Sequence, residues 1–564
     1  MAGSATSDSR LGITLQGYDQ VIALSQANIN ESLEYHFTAK SELCKFEATL
    51  KSGSKESIKG TLKPPTIELV DVENADQALY CLDFKDGEYS YWDFEGDEPR
   101  KAKMPVKGWR LAFYIDFAMK KMATVPKDIA DQIQLPGSYS VDQLLVNFGT
   151  ADVMNFNWGK SKVTGFSKTE EDAAKDTMTL FVTKWLNSLK NVDNSGSHNV
   201  LGYAVKIDPG EGKSLENVLK ELPKSTPSFP PTAVRLQTIN HRPGGDHNRS
   251  STDNDHNAFL FTEMTEGRPM ISKDLQWSGD WFYESIGGSL VMSKGIFWDK
   301  FLAKKLQMAN KQAVEGANRI AKKAAFPDMG NRYDWIISDS DTVGEAAWTN
   351  NGLESHYEWK NSKYNEWEQE IDGPNMIWMF NVDTSIKHVL KPLVGQGKAV
   401  LSRELSLAAK LTMKLWGISK DISSAEIKTN ASARVTNYIQ FRSVDGEGDL
   451  SVDVTTEQND VNADVNASFK GIFEALTKIP LIGPKLDEWV RDMAKTKQLE
   501  DSLKAVVQNQ ITATVNIENQ IQNALNGQGR FVFPGGGTFD MKDPLFNKVG
   551  DLMIGLTYRK GDAA

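Results

Sequence analysis

The opening segment Gly17–Leu33 constrains the fold most, because it predicts a strand that runs directly into a helix. The apolar run Val21–Leu24 predicts a buried strand. Ser25 is a suitable helix N-cap, since its hydroxyl can accept a hydrogen bond from a backbone N–H group of the first turn. Three apolar residues then recur at four-residue intervals on one helix face: Ile29, Leu33 and Phe37.

Apolar residues in the remaining chain indicate long strands and a small number of amphipathic helices. Strands are predicted at Ala78–Phe84, Trp109–Phe117, Leu144–Phe148, Leu201–Ile207, Ala258–Phe261, His356–Ile371 and Asp449–Val454. Long helices are predicted from near Ser167, over Gly295–Ala325 and over Leu499–Leu525. Strict alternation of strand and helix is absent, which disfavours a doubly wound parallel sheet. The predicted fold is α+β, with long amphipathic helices packed against strongly curved antiparallel sheets.

Two segments carry further helix signals. Glu170 stands three residues after Ser167 and completes a capping box. The inner face of the helix that follows is predicted to comprise Met178, Phe181, Trp185 and Leu189. The segment Met376–Leu393 is predicted to repeat the opening arrangement, with an apolar strand followed by Asp383 or Thr384 as the helix cap. The apolar residues after that cap are spaced as on a helix face: Ile386, Leu390 and Leu393.

Three parts are predicted along the chain. Residues 1–207 form a strand-rich N-terminal part. Residues 208–235 form a connector, because the prolines of Pro223–Pro231 lack backbone donors and fix φ, so that this run resists both helix and sheet. Residues 236–564 form a C-terminal α+β part that holds two of the long helices.

The acidic balance of the chain restricts its partners. A net charge of −11 repels phosphate backbones, and no Lys/Arg cluster with interleaved aromatic residues offsets it, so no nucleic-acid partner is expected. No stretch approaches the ~20 apolar residues of a transmembrane segment, although the chain allows transient contact with a membrane. The N-terminus lacks the apolar core of a secretory signal. Cys44 and Cys81 are expected to be reduced and buried, and a cytoplasmic location is predicted.

Three glycine-containing segments resemble catalytic or nucleotide-binding motifs, but none fits. In Asp208–Ser214 the first glycine of a phosphate-binding loop is replaced by Ile207. Gly287–Val291 has valine at the second glycine of a nucleophile elbow. Gly535–Gly537 is followed by neither a helix start nor a lysine at the required position. Turns are predicted at all three places. No catalytic residue and no cofactor is expected, so the chain is predicted not to be an enzyme.

Histidine and aspartate residues cluster between positions 241 and 256, which makes this loop the best candidate metal site. The candidate ligands are His241, Asp246, His247, Asp253, Asp255 and His256. A calcium loop that starts at Asp253 would need glycine and glutamate where Ala258 and Met264 stand, and the histidine spacing is not that of a zinc protease. A surface loop without metal is favoured, and a metal-dependent hydrolase is an alternative.

Short segments spread over most of the chain carry a family resemblance. They are Gly17–Leu33, Leu144–Asp152, Trp185–Tyr203, Ala258–Thr265, Phe531–Phe539 and Gly550–Leu552. Together they resemble the tubular lipid-binding (TULIP) superfamily, in its branch of clostridial neurotoxin-cluster accessory proteins and their bacterial and fungal relatives. The resemblance implies an elongated fold in which a curved antiparallel sheet cradles long helices, with a lipid-binding apolar groove between them. It implies no catalysis and transfers no catalytic residue.

The predicted function is non-catalytic binding of a lipid or another hydrophobic ligand in an elongated apolar groove. Apolar helix faces are most often plain core, but a groove left between helix and sheet binds apolar ligands. The predicted groove walls are Ile29, Leu33, Phe181, Trp185 and Leu189. The alternative is an interaction or scaffold subunit of a larger, toxin-accessory-like complex, whose apolar faces contact protein partners.

Overall fold

A computed structural model gives the structure of the chain. It describes residues 9–39, 41–50, 56–69, 77–93, 98–121, 139–147, 156–166, 171–189, 200–207, 214, 229, 231–242, 254–283, 286–303, 310–311, 313–317, 356–370, 376–416, 422–443, 450–470, 501, 504–505, 531–532 and 538–559.

The described elements are mostly strands. The helices are α1 (Gln26–Ala39) and α2 (Glu171–Leu189), with a π-helical segment at Gly295–Leu302 and 3-10 turns at Ser9–Gly12, Ser41–Cys44 and Asn254–His256. The strands are β1 (Gln20–Ser25), β2 (Lys45–Thr49), β3 (Ser57–Leu62), β4 (Thr66–Glu68), β5 (Gln77–Asp93), β6 (Arg100–Pro105), β7 (Arg110–Lys121), β8 (Tyr139–Asn147), β9 (Val200–Ile207), β10 (Pro231–Ile239), β11 (Ala258–Thr265), β12 (Gly288–Met292), β13 (Tyr357–Glu370), β14 (Met376–Leu393), β15 (Lys398–Trp416), β16 (Ile422–Ser443), β17 (Leu450–Lys470), β18 (Phe531–Val532), β19 (Thr538–Phe546) and β20 (Leu552–Arg559).

The chain divides into two compact units that are not contiguous in sequence. The first unit comprises Met1–Ser293, Ser443–Leu450 and Ala524–Ala564. The second unit comprises Lys294–Arg442 and Ser451–Asn523. The three-part division drawn from the sequence stays a prediction.

In the first unit, the opening strand lies inside a six-stranded sheet of order β10-β11-β1-β12-β20-β19. β1 pairs antiparallel with β11 and β12, and all of its residues are buried. On one face, residues from Ile13–Tyr18 and Leu275–Phe282 pack around Val21. On the other face, the rings of Phe259 and Phe117 lie 4.3 Å apart. Both faces are covered, which explains why β1 reads as a continuous apolar run.

The predicted change from strand to helix is confirmed at the predicted residue. Oγ of Ser25 accepts a hydrogen bond from the backbone N–H of Asn28 at 3.1 Å, which caps α1. The predicted face of α1 is buried: Ile29, Leu33 and Phe37 are at most 4% exposed. A Cβ at Gly287 would approach Ser25 Oγ to 2.5 Å, so glycine at this position leaves room for the capping hydroxyl. This role accounts for the glycine without a nucleophile elbow.

A second sheet of the first unit has the order β18-β9-β8-β7-β5-β3-β2, with β4 and β6 also paired to β5. The strands predicted at Ala78–Phe84, Trp109–Phe117, Leu144–Phe148 and Leu201–Ile207 all fall in this sheet. Helix α2 packs against β2. The predicted capping box of α2 lies outside the described residues.

Cys44 and Cys81 are buried and form no disulfide, as predicted, and burial raises the pKa of the Cys81 thiol to about 12.

The bounds of the connector, 208–235, stay a prediction, but the expectation that its Pro-rich run resists sheet is wrong at the last proline, because Pro231 begins β10 and residues 231–235 belong to that strand. A strand tolerates proline at its first position, where no ladder hydrogen bond is lost. Of the predicted connector before Pro231, the structure describes only Ser214 and Phe229.

The second unit contains a five-stranded sheet of order β13-β14-β15-β16-β17. Its strands are unusually long, with 14, 18, 19, 22 and 21 residues. β14 pairs antiparallel with β13 and β15 along its length. The strand predictions at His356–Ile371 and Asp449–Val454 are confirmed.

The prediction of a strand, a cap and a helix within Met376–Leu393 is wrong, because the whole segment is the single strand β14. Ile386 and Leu390 are four residues apart, and an even spacing fits a strand face as well as a helix face. Val382 and Thr384 continue the same buried row, which only a two-residue period explains.

The helix predicted over Gly295–Ala325 is confirmed in part. The π-helical segment occupies its start, and helical residues recur at 310–311 and 313–317. Phe297, Phe301, Ala313 and Ala317 are buried. The helix predicted over Leu499–Leu525 lies outside the described residues except at 501 and 504–505.

The described part of the chain consists mostly of antiparallel sheets with few helices. None of the described helices is long and apolar enough to cross a membrane.

Candidate functional site

The groove walls predicted from the sequence lie in the packed interior of the first unit. Ile29 and Leu33 of α1 and Phe181 and Trp185 of α2 are at most 4% exposed. The side chain of Leu189 lies outside the described residues. Burial fits a core and a ligand groove equally, so the role of these residues as groove walls stays a prediction.

The α2 residues make close aromatic contacts. The Trp185 ring stacks on Phe46 at 5.0 Å, and its indole Nε1 donates to the Lys45 carbonyl at 3.3 Å. Phe181 meets the edge of Tyr89 at 5.8 Å. These contacts fix α2 on β2 and β5.

The predicted histidine and aspartate loop is partly described. Nε2 of His241 lies 3.2 Å from Oδ1 of Asp280, and the rings of His241 and His256 are 5.3 Å apart. Burial alone would raise the pKa of Asp280, but hydrogen bonds from His241 and Ser9 hold it below its ordinary value. Among the described residues, no group of three or more His, Cys, Asp and Glu side chains is placed to hold a metal. Three candidate ligands lie outside the described residues: Asp246, His247 and Asp253.

The sheet of the second unit has one apolar face, which β14, β15 and β16 build by alternation. The buried aliphatic residues of this face are Val382, Ile386, Leu390, Leu401, Leu405, Leu407, Val435 and Ile439. The helical residues 295–303, 310–311 and 313–317, called the helical segment below, cover part of it. Phe297 meets Phe441 at 5.5 Å between ring centroids, and Trp298 stacks on Tyr357 at 5.7 Å. At 3.3 Å per residue the described apolar row on β14 runs for about 25 Å.

A polar cluster interrupts this apolar face, and all of its residues except Thr456 are buried. Arg403 is only 1% exposed, and its Nη2 donates to Oδ1 of Asn437 at 2.6 Å. Nδ2 of Asn437 donates in turn to Oγ1 of Thr456 at 2.8 Å. His388 is the direct cross-strand partner of Arg403, and its Nδ1 lies 2.6 Å from Oδ1 of Asn310 on the helical segment. We call these five residues the polar cluster.

Charge in the polar cluster comes from the guanidinium alone. Burial, with the nearby charge of Arg403, lowers the pKa of His388 to about 3, so the imidazole is neutral at neutral pH. Burial also lowers the pKa of Arg403 to about 10, which leaves it protonated. Because Oδ1 of Asn310 is an acceptor, the neutral ring carries its proton on Nδ1, and Nε2 presents a lone pair.

His388 and Asn310 each have one buried polar atom without a hydrogen bond to another described residue. Nε2 of His388 and Nδ2 of Asn310 make no hydrogen bond within the described part of the chain. Both side chains are at most 1% exposed. A buried polar group left without a partner costs ~1–3 kcal/mol, so each atom calls for a partner that the described side chains do not supply.

The opposite face of the same sheet is polar and forms two adjoining concavities of about 510 and 360 Å³. Ser385, Ser406 and Ser432 lie in register across its middle. The flanking charges, Lys387, Glu404 and Arg434, are of both signs. Surface depressions of this kind, with small side chains and mixed charge, do not select a ligand class.

Sequence reasoning missed the polar cluster because histidines were judged by their spacing from other histidines. The signal was present in the strand pattern. His388 stands between Ile386 and Leu390 on the buried row of β14, and Arg403 occupies the matching position on β15 between Leu401 and Leu405. A polar residue at an apolar position of a strand face marks such a site.

Comparisons with known proteins find only distant similarity. No protein-family model matches the chain, and no curated protein matches it. Among solved structures it is similar to P47 from Clostridium botulinum A2, with a TM-score of 0.44 and 12% identity over 97% of this chain and 99% of that one. P47 of Clostridium botulinum E1 gives a TM-score of 0.41 and 12% identity over 96% and 99% of the two chains. A lipopolysaccharide binding protein gives a TM-score of 0.30 and 7% identity, also over 96% and 99%. Scores this low establish neither a shared fold nor a family.

Proposed function

We propose that the chain binds a lipid or another hydrophobic ligand and catalyses no reaction. The ligand lies within the second unit, between the apolar face of β14–β16 and the helical segment, whose described residues are 295–303, 310–311 and 313–317. This interior combines aliphatic walls with a small number of polar groups, which is the composition of sites for small hydrophobic molecules.

The observation that carries the proposal is the pair of unsatisfied polar atoms in this interior, Nε2 of His388 and Nδ2 of Asn310. A core that is complete by itself satisfies its buried polar atoms or replaces them with apolar groups. A ligand with a polar end would supply the two missing partners, and its apolar part would cover the surrounding aliphatic residues.

The arrangement also agrees with the resemblance noted in the sequence. The TULIP superfamily implies a groove between a long helix and a curved antiparallel sheet. In the second unit, a helical segment lies on the apolar face of very long strands. The five groove walls predicted in the first unit remain a second proposed apolar site.

The proposal is tested by titrating the delipidated full-length protein with cis-parinaric acid and with its methyl ester, two polyenes that fluoresce in apolar surroundings. Burial at about 25 cal/mol per Å² lets a long acyl chain reach micromolar affinity or better. We expect saturable fluorescence with at least one of the two probes, at about one probe per chain. Absence of saturable binding by both would contradict the proposal and favour the scaffold alternative.

A variant locates the ligand. Ala433 faces the interior opposite Leu405, and its exposed neighbour Ser432 faces outward. We expect Ala433→Phe to weaken probe binding at least tenfold, because the added ring occupies ligand space, and Ser432→Phe to leave binding unchanged. If Ala433→Phe instead lowers stability by ~1–3 kcal/mol and leaves binding intact, the interior is overpacked by the ring and the ligand lies elsewhere.

A further inference from the structure

We propose that the polar cluster is the head-group site for a long-chain carboxylic acid. The inference rests on the proposed function, because it names the chemical class of the ligand held on the apolar face. It follows from the positions of His388, Asn310 and Arg403 relative to one another.

The two unsatisfied atoms need hydrogen-bonding partners of different kinds, one a donor and the other an acceptor. Nε2 of the neutral His388 needs a donor, and Nδ2 of Asn310 needs an acceptor. The contact between Nδ1 and Oδ1 holds the two side chains together, so one ligand that lies against this pair can supply both partners. A carboxylic acid brings one proton and two oxygens: the proton is shared with Nε2, and an oxygen accepts from Nδ2. An alcohol could also satisfy both atoms.

Arg403 distinguishes the acid from the alcohol. It is directly opposite His388 in the β14–β15 pair and on the same buried face, which places the two Cβ atoms ~4.5–5.5 Å apart. A guanidinium in apolar surroundings favours an anion strongly, because charges attract more when water is excluded. In the ligand-free protein the imidazole is neutral, but an anion beside it stabilises its protonated form, so the acid's proton can move to Nε2 while the carboxylate stays beside Arg403. An alcohol has no such anionic form at neutral pH.

The surroundings of the cluster suit the rest of such a molecule. Leu390 and Leu401 lie on one side of the His388–Arg403 pair, and Ile386 and Leu405 lie on the other, each pair being direct cross-strand partners. All four side chains are at most 4% exposed. A hydrocarbon tail that leaves the carboxyl group along the strands therefore meets aliphatic residues in either direction.

The test compares three probes of equal chain length on the full-length wild-type protein: oleic acid, its methyl ester and oleyl alcohol, each displacing bound cis-parinaric probe. We expect the acid to bind at least tenfold more tightly than the ester and the alcohol. Equal affinities for the three would overturn the head-group assignment and leave the proposed function standing. No displacement by any probe would contradict the proposed function itself. This comparison needs no variant, so it does not depend on a mutant folding.

Variants then assign the effect to residues. We expect Arg403→Gln to weaken binding of oleic acid at least tenfold and to leave binding of the methyl ester within twofold of the wild type. The matched control is Arg434→Gln on the exposed face of the same sheet, which is expected to change neither. Asn310→Leu keeps the size of the side chain and removes the donor, so it is expected to weaken binding of oleic acid severalfold. If both inner variants bind the acid as the Arg434→Gln control does, the assignment is wrong.

Discussion

Glu263 is a buried carboxyl group of the first unit whose ionisation differs between the folded and the unfolded chain. It lies on β11, and Nε2 of Gln20 donates to its Oε2 at 2.6 Å. Burial raises the pKa of Glu263 to about 8, against the opposing effect of the Gln20 hydrogen bond. At neutral pH the folded protein therefore keeps this carboxyl group mostly protonated, whereas in the unfolded chain it ionises near 4.5.

The sign of the resulting pH dependence follows from proton counts. Between about pH 4.5 and pH 8 the folded state binds more protons at Glu263 than the unfolded state, so this group makes stability fall as pH rises. Glu263→Gln removes the effect. We expect the variant to be more stable than the wild type at about pH 8, by several kcal/mol at ~1.4 kcal/mol per unit of pKa, with little gain at about pH 5.

The expected pH dependence is checked by measuring thermal unfolding of the wild type and of Glu263→Gln at about pH 5 and about pH 8. The control is Glu47→Gln, which removes a carboxylate whose side chain is 68% exposed and should shift the midpoint little at either pH. A Glu263→Gln gain that is the same at both pH values would show that the carboxyl group is not neutral in the folded protein.

At the scale of elements, β14 is the decisive case, because strand and helix were both compatible with its apolar spacing. Ser385 tests the assignment. It is exposed, and its backbone lies between Ser362 of β13 and Ser406 of β15. Proline there would be tolerated at the first position of the predicted helix, but in a central strand it removes a ladder hydrogen bond.

We expect Ser385→Pro to destabilise the second unit by about 3 kcal/mol or more and Ser385→Ala to have little effect, as measured by urea unfolding followed by tryptophan fluorescence. Nearly equal midpoints for the two variants would contradict the strand.

The sequence was sufficient to predict features that depend on one residue and its immediate neighbours, such as the start of a helix. Ser25 could be identified as a cap because the hydroxyl acts within one turn, and the contact with Asn28 confirms it. The partners of β1 could not be identified in this way. β11 and β12 lie more than 200 residues further along the chain, and pairing at that distance depends on tertiary packing.

The polar cluster shows the same limit at the candidate site. Asn310, His388 and Arg403 come from three separate elements, and nothing in the spacing of these residues brings them together. Only the register of β14 with β15 makes His388 and Arg403 neighbours. The predicted groove walls on α1 and α2 came from helix periodicity, which reports a buried face and not what that face contacts.

At the scale of the whole molecule, the sequence predicted a mixture of sheets and helices, and the described chain is dominated by antiparallel sheet. The difference arises from the second unit, where strands of up to 22 residues carry polar and apolar faces by simple alternation. Each unit has its own sheets, and in the second unit the unsatisfied atoms of His388 and Asn310 lie at the apolar face of the long-stranded sheet.

The most direct measurement is organic extraction of the purified full-length protein followed by mass spectrometry of the extract, with the stripped protein then offered oleic acid. If the interior of the second unit holds a ligand, the extract contains a long-chain hydrophobic molecule at about one per chain, and the stripped protein takes up oleic acid at the same ratio. An extract without such a molecule, together with a stripped protein that takes up none, would contradict the account.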